Sequence, residues 1–246
     1  MKIAIPRLAI AQPLLEHAAE LAAQNGFTLI EASLEECGTM LLNNNVDVAL
    51  MSPHGYGLGV GKVDYRIIPG PCVALEEYTH AYGLWFPESG SALESFYATN
   101  PDAYLSVISR LVMAEKFDVH LTFTESAHDA DVTIGPTSEN PVPAMDLGEE
   151  WFDIVESPLP LAVWVHRVDT EHLEQVERVK EFANQQLLHR EVSEIVPITA
   201  DHMPREGKIL YRWNDDVQEG MEAALHMLFY HQLLSEIPAI KLFGTN

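Results

Sequence analysis

Cysteine is nearly missing from the 246-residue chain. Cys37 and Cys72 are the only two, and their spacing suits neither a disulfide framework nor a metal knuckle. Basic residues are scarce as well: 14 Lys and Arg face 37 Asp and Glu, for a net charge of −23. That balance excludes nucleic acid and anionic membrane surfaces as expected partners, because both attract basic patches. The acids are scattered and form no tail. They read either as a solvated surface that aids solubility or as adaptation to high salt, where screening removes the repulsion. No apolar run approaches the ~20 residues that span a bilayer. The chain opens on a strand at Lys2–Ile5, without the charged lead and apolar stretch of a signal peptide, so a cytoplasmic location is expected.

Catalytic signatures are missing too. There is no His-Glu-x-x-His, no Gly-x-Gly-x-x-Gly, no Gly-x-x-x-x-Gly-Lys and no Gly-x-Ser-x-Gly. His226 and His231 stand five apart, not the four that align two ligands on a helix, and His128 with Asp129 and Asp131 reads as a solvated loop. Neither a metal nor a cofactor is expected.

What is present is a globular composition, 47% hydrophobic, with alternating strand and helix signals. Strands are expected at Lys2–Ile5, Phe27–Glu31 and Val46–Met51. Between them fall a helix from Pro13 to about Gln24, closed by Asn25-Gly26, and one started by the capping box Ser33/Glu36. This β-α-β-α-β order predicts a parallel sheet with right-handed crossovers. Extended segments follow at 64–68, 72–75 and 81–86, then a turn at 87–91. A second unit is expected from a strand at Leu93–Ala98, a helix at Asp102–Lys116 and strands at Val119–Thr124 and Asp131–Ile134, with 135–143 a proline-rich loop. Leu159–Val165 reads as a returning strand with Trp164 in the core. Helices are expected at Glu171–Leu188, capped by Thr170, and at Asp215–Ser235, with an extended segment at Gly207–Trp213 between them.

The expected fold class is therefore α/β, with mixed sheets and flanking helices in two lobes: 1–86 with 163–246, and 87–162. A ligand is expected in an interlobe cleft, at the carboxyl ends of strands. Val46–Gly61 carries the clearest signal, a buried strand running into Ser52-Pro53-His54 and then Gly55, Gly57, Gly59 and Gly61. Glycines there suit either close backbone approach to a ligand or a flexible connection. Ser52 and His54 share a face if the strand continues. His54 then reads as a hydrogen-bond donor or general base, or as a structural histidine. Thr99-Asn100-Pro101-Asp102 begins a helix and reads either as an anion site or as a self-satisfied cap. Arg7, just after the first strand, is a candidate carboxylate partner or a surface residue. The stretch Tyr78-Thr79-His80 completes the candidate lining read from the residues.

Three stretches carry a family resemblance: Asp47-Val48-Ala49 with Ser52; Ala130-Asp131 through Ile134-Gly135; and Asp146-Leu147-Gly148-Glu149-Glu150-Trp151 followed by Leu159-Pro160. Together they cover nearly the whole chain, which resembles the menaquinone-biosynthesis proteins of the futalosine pathway. One branch of that family is chorismate dehydratase and the other dihydroxynaphthoate synthase. The resemblance implies a two-lobed fold similar to type II periplasmic binding proteins. The leading expectation is a carbon–oxygen lyase that dehydrates chorismate to an enolpyruvyl-oxybenzoate. In it Ser52 and His54 are the catalytic pair, and Arg7, Tyr56, Thr79, Thr99, Asn100 and Gly135 hold the ligand. The alternatives are a non-catalytic binding protein for a small carboxylate or aromatic metabolite, and a synthase-like reaction. Ser52-Pro53-His54-Gly55-Tyr56 matches the synthase branch better, but Gly135-Pro136 stands where that branch has a histidine. A monomer or a homodimer is expected.

Overall fold

Ile3, Ala4, Val48, Ala49 and Leu50 have no exposed surface, and they lie on neighbouring parallel strands at the centre of the first sheet. The computed structural model describes residues 1–87, 92–137, 142–194 and 204–244. Its strands are β1 (Lys2–Pro6), β2 (Thr28–Ala32), β3 (Val48–Met51), β4 (Tyr65–Glu77), β5 (Tyr82–Trp85), β6 (Ser95–Tyr97), β7 (Thr122–Phe123), β8 (Val132–Pro136), β9 (Met145–Asp146), β10 (Leu159–Arg167), β11 (His189–Ser193) and β12 (Glu206–Arg212). Its α-helices are α1 (Ala18–Asn25), α2 (Leu34–Leu42), α3 (Pro53–Gly59), α4 (Tyr104–Phe117), α5 (Leu147–Val155) and α6 (Asp215–Tyr230).

The chain divides into two compact units, residues 1–74, 160–189 and 210–246, and residues 75–159 and 190–209. The first passage thus falls inside β4, ahead of the turn expected at 87–91. Of the described residues, 190–194 and 204–209 join the second unit, not the first. Of that turn, 88–91 lie outside the described residues.

One sheet runs β11-β12-β4-β10-β3-β1-β2 and the other β7-β6-β8-β5-β9. They share a pattern. β1 pairs in parallel with β2 on one side and β3 on the other, and β10 lies antiparallel to β3. Likewise β6 pairs in parallel with β7 and β8, and β5 lies antiparallel to β8. Each unit therefore has one point where successive crossovers leave a parallel strand in opposite directions: between β1 and β3, and between β6 and β8. The second core is built from Leu84, Phe96, Ala98, Met113, Val132 and Ile134.

Several elements differ from expectation, each for a local reason. Pro13 does not open an α-helix; it sits inside a 3₁₀ turn, Ala9–Leu15, and α1 starts only at Ala18. The expected closing glycine, Gly26, adopts the left-handed conformation (φ 68°) that caps helices well. The glycine-rich stretch after β3 is helical: Ser52 caps α3 and Pro53 takes the first position, where its missing N–H costs nothing. A Cβ on Gly57 would sit 2.6 Å from Leu234, and one on Gly59 would sit 1.9 Å from the Tyr65 ring. Two of these glycines thus serve close packing of α3 rather than approach to a ligand. β8 continues through Gly135 and Pro136, because Gly135 pairs with Gly83 and Pro136 with Tyr82. Residues 173–181 form a 3₁₀ run where an α-helix was expected. Their buried positions, Val176, Val179 and then Phe182, recur every third residue, the period of that helix.

Candidate functional site

In open α/β sheets, ligands bind outside the carboxyl ends of the strands, where the strand order reverses. In the first unit that point lies between β1 and β3 and brings up Arg7 and Ser52. Ser52 is buried, and its Oγ accepts the Gly55 N–H at 3.1 Å. Its own hydroxyl proton has no acceptor among the described residues. Arg7 is exposed, 3.8 Å from the Glu31 carboxylate, and donates to the Glu31 carbonyl at 3.3 Å.

The other two candidates of this unit serve the packing of α3. The Tyr56 hydroxyl donates to the Ala239 carbonyl at 2.8 Å and accepts the Lys241 N–H at 3.2 Å. Burial pushes its pKa up. His54 hydrogen-bonds the backbone of Leu233. Burial holds its imidazole below the ordinary histidine value, against the opposing effects of that bond and of Glu35. His54 and Tyr56 therefore tie α3 to the chain that follows α6.

In the second unit the reversal lies between β6 and β8. Thr99 and Asn100 follow β6 and are exposed. They do not cap α4, which starts at Tyr104 with Ala103 as its N-cap and no side-chain cap. The Asn100 side chain instead accepts the Asp102 N–H at 3.2 Å. Asp102 thus lies ahead of the helix, whose first turn contains no acid. An uncapped first turn keeps N–H groups and a positive dipole end for an anion. Within that turn the buried Ser106 hydroxyl lies 3.0 Å from the Tyr82 hydroxyl. Gly135, in β8, is buried, yet a Cβ added there would meet nothing within 4 Å. None of the described residues therefore fills the space over this strand end.

Thr79 does not face open space. It is 1% exposed, and its N–H and hydroxyl both donate to Asp146, at 3.1 and 3.3 Å. Asp146 also accepts the N–H groups of His80 (2.8 Å), Gly148 (3.0 Å) and Glu149 (3.3 Å). Burial pushes its carboxyl above the ordinary carboxylate range, and these backbone donors and Arg205 pull the other way. The acidic stretch with Trp151 is thus a structural knot. Asp146 joins the β4–β5 link to α5, a Cβ on Gly148 would meet the Glu77 carbonyl at 2.5 Å, and the Trp151 indole donates to the Ser157 carbonyl at 2.9 Å.

Sequence reasoning missed Ser106 and Tyr82 as a pair. The available signal was a serine within the apolar run of a helix beginning at a strand end. Among the described residues, no group of three His, Cys, Asp or Glu side chains is placed to hold a metal ion. No helix among them is long and apolar enough to cross a membrane.

Two α/β units of one strand pattern, each with a strand-order reversal at its carboxyl ends, define a scaffold of the periplasmic-binding-protein type. Solved structures agree. Protein AF1704 from Archaeoglobus fulgidus aligns with a TM-score of 0.60 at 13% identity, over 95% of this chain and 98% of that one. The alkanesulfonate-binding protein SsuA from Xanthomonas axonopodis pv. citri, bound to MOPS, aligns at 0.52 and 9% identity, over 96% and 94%. The periplasmic aliphatic sulphonate binding protein SsuA from Escherichia coli aligns at 0.52 and 6% identity, over 100% and 94%. The chain belongs to the menaquinone biosynthesis family, whose model matches residues 7–210. No curated protein sequence matches it.

Proposed function

We propose that the protein is a menaquinone-pathway lyase of the chorismate dehydratase type. The observation that carries this reading is the family match across residues 7–210, which contains both strand-order reversals with Arg7, Ser52, Thr99, Ser106 and Gly135. A protein of net charge −23 repels anions at long range, so it needs short-range donors for a dicarboxylate. The Ser52 hydroxyl proton, which has no acceptor among the described residues, and the first turn of α4, which has no side-chain cap, are the donors this reading uses.

The chemistry asks little of side-chain acids and bases. Loss of the ring hydroxyl and of the proton on the neighbouring carbon gives an aromatic ring. The electrons of the C–H bond enter the ring as the C–O bond breaks; a carboxylate of the substrate takes the proton and passes it to the departing hydroxyl, which leaves as water. The protein's contribution is to hold the ring and carboxylates in the eliminating geometry, an effect worth about 7–11 kcal/mol in well-oriented systems. Ser52 and Thr99 hold carboxylates. His54, kept neutral by burial, assists the departing hydroxyl only after its bond to Leu233 is released.

Purified protein incubated with chorismate and followed by mass spectrometry tests this reading. The expected product is chorismate less one water, formed faster than in buffer, and Ser52→Ala slows its formation at least tenfold. Product forming no faster than in buffer would refute it. A second reading, binding without turnover, is favoured by the structural bonds of His54 and Tyr56. It predicts that chorismate or another small aromatic acid raises the melting temperature and is recovered unchanged.

A further inference from the structure

The link between β4 and β5 holds one histidine in an arrangement that core packing does not require. His80 has φ +48°, in the left-handed region that non-glycine residues seldom enter. Strain of this kind persists only where the surroundings impose it, and it concentrates at functional sites. The surroundings of His80 are specific. Its N–H donates to Asp146 at 2.8 Å, and its carbonyl accepts the hydroxyl of Thr137. Its ring stacks on Tyr78, with centroids 6.2 Å apart and planes at 24°, and the Arg205 guanidinium covers Tyr78 at 4.4 Å. Arg205 is itself anchored by Glu149 at 2.9 Å. Backbone and ring are thus both held, while the residue remains exposed and its imidazole has no hydrogen bond among the described residues. Thr137 directly follows β8, and its N–H donates to the Ala81 carbonyl at 3.3 Å, so His80 stands beside the carboxyl end of the strand that carries Gly135.

We propose that His80 is a ligand-contacting residue, its imidazole donating a hydrogen bond to a carboxylate oxygen of a small anionic metabolite bound at the β6/β8 strand ends. Asp146 and Thr137 are its positioning residues. This rests on the reading above only in placing a ligand at those strand ends; it does not require that the ligand be chorismate. It also gives the acidic motif a role in function, since Asp146 acts through the backbone of His80 without touching the ligand. Three observations carry it together: the imposed left-handed backbone, the exposed ring with no hydrogen bond among the described residues, and the space over Gly135 that none of the described residues fills.

The test is a proton NMR titration of the full chain, with the His80 ring resonance identified by its loss in His80→Asn. Asparagine tolerates the left-handed backbone, so this variant keeps the fold. Chorismate, benzoate and malonate are the probes, and calorimetry gives the affinities. The expected result is that chorismate shifts the His80 resonance. His80→Asn then weakens binding about tenfold, the order expected for a hydrogen bond to a charged group, at unchanged melting temperature. Thr137→Val weakens binding in the wild-type background but not in the His80→Asn background, and Thr137→Ser restores it. If chorismate binds while the resonance stays still and His80→Asn binds as well as wild type, the His80 proposal is overturned and the chorismate reading survives. If chorismate fails to bind but benzoate or malonate moves the resonance, the chorismate reading falls and His80 stands. If no probe moves it, His80 is not a ligand contact.

Discussion

His166, in β10, has no exposed surface. Its Nδ1 lies 2.9 Å from the Arg167 carbonyl, its Nε2 has no hydrogen-bond partner among the described residues, and its ring meets Phe243 edge-on at 4.9 Å. Burial holds this imidazole below the ordinary value and Arg66 adds to the effect, while the Arg167 carbonyl and Asp64 oppose it. Below pH ~6.5 the unfolded chain takes up a proton that the folded chain refuses, so stability falls as pH drops through that range. Each unit of depression corresponds to about 1.4 kcal/mol. Urea denaturation of wild type and His166→Phe at pH 7.5 and pH 5 measures this. The variant is expected to lose less stability on acidification; equal losses would show that His166 does not set the slope. Gly135 supports a different prediction. Its backbone is ordinary for a strand and a Cβ meets none of the described residues, so Gly135→Val leaves the melting temperature within a few degrees. If a ligand occupies that space, its affinity falls at least tenfold. Unchanged affinity would place the ligand elsewhere.

Elements defined by short-range chemistry were legible in the sequence. β1, β2 and β3 read as short apolar runs. The capping box of α2 forms as expected, with Ser33 accepting the Glu36 N–H at 3.1 Å and Glu36 accepting the Ser33 N–H at 2.8 Å. Elements decided by contacts distant in sequence were not legible. α3 carries a serine cap and a proline at its first position, but its glycines lower helix propensity, and only packing against Leu234 and Tyr65 explains them. Gly59→Ala is therefore expected to cost about 1–3 kcal/mol through overpacking against the Tyr65 ring, despite alanine's better helix propensity. Gly57→Ala costs less, because a leucine side chain can rotate away. Chemical denaturation of both variants checks the order; a stabilised Gly59→Ala would refute the packing role. Of the candidate site residues, Ser52 and Thr99 were visible in the sequence as strand-end residues. The bonding of Thr79 to Asp146 was not, since 67 positions separate them.

For the whole molecule, the strand pattern occurs twice and each copy brings polar groups to its carboxyl ends. With a net charge of −23, the proposed recognition of an anionic metabolite would rest on hydroxyls and helix N–H groups fixed at short range, which salt screens little. Family membership ties the chain to menaquinone biosynthesis. The most direct test is the time course of chorismate with the purified protein, read by mass spectrometry against a protein-free control. The account predicts loss of one water from chorismate at a rate proportional to protein concentration. Chorismate that binds and returns intact, or decays at the control rate, would contradict it.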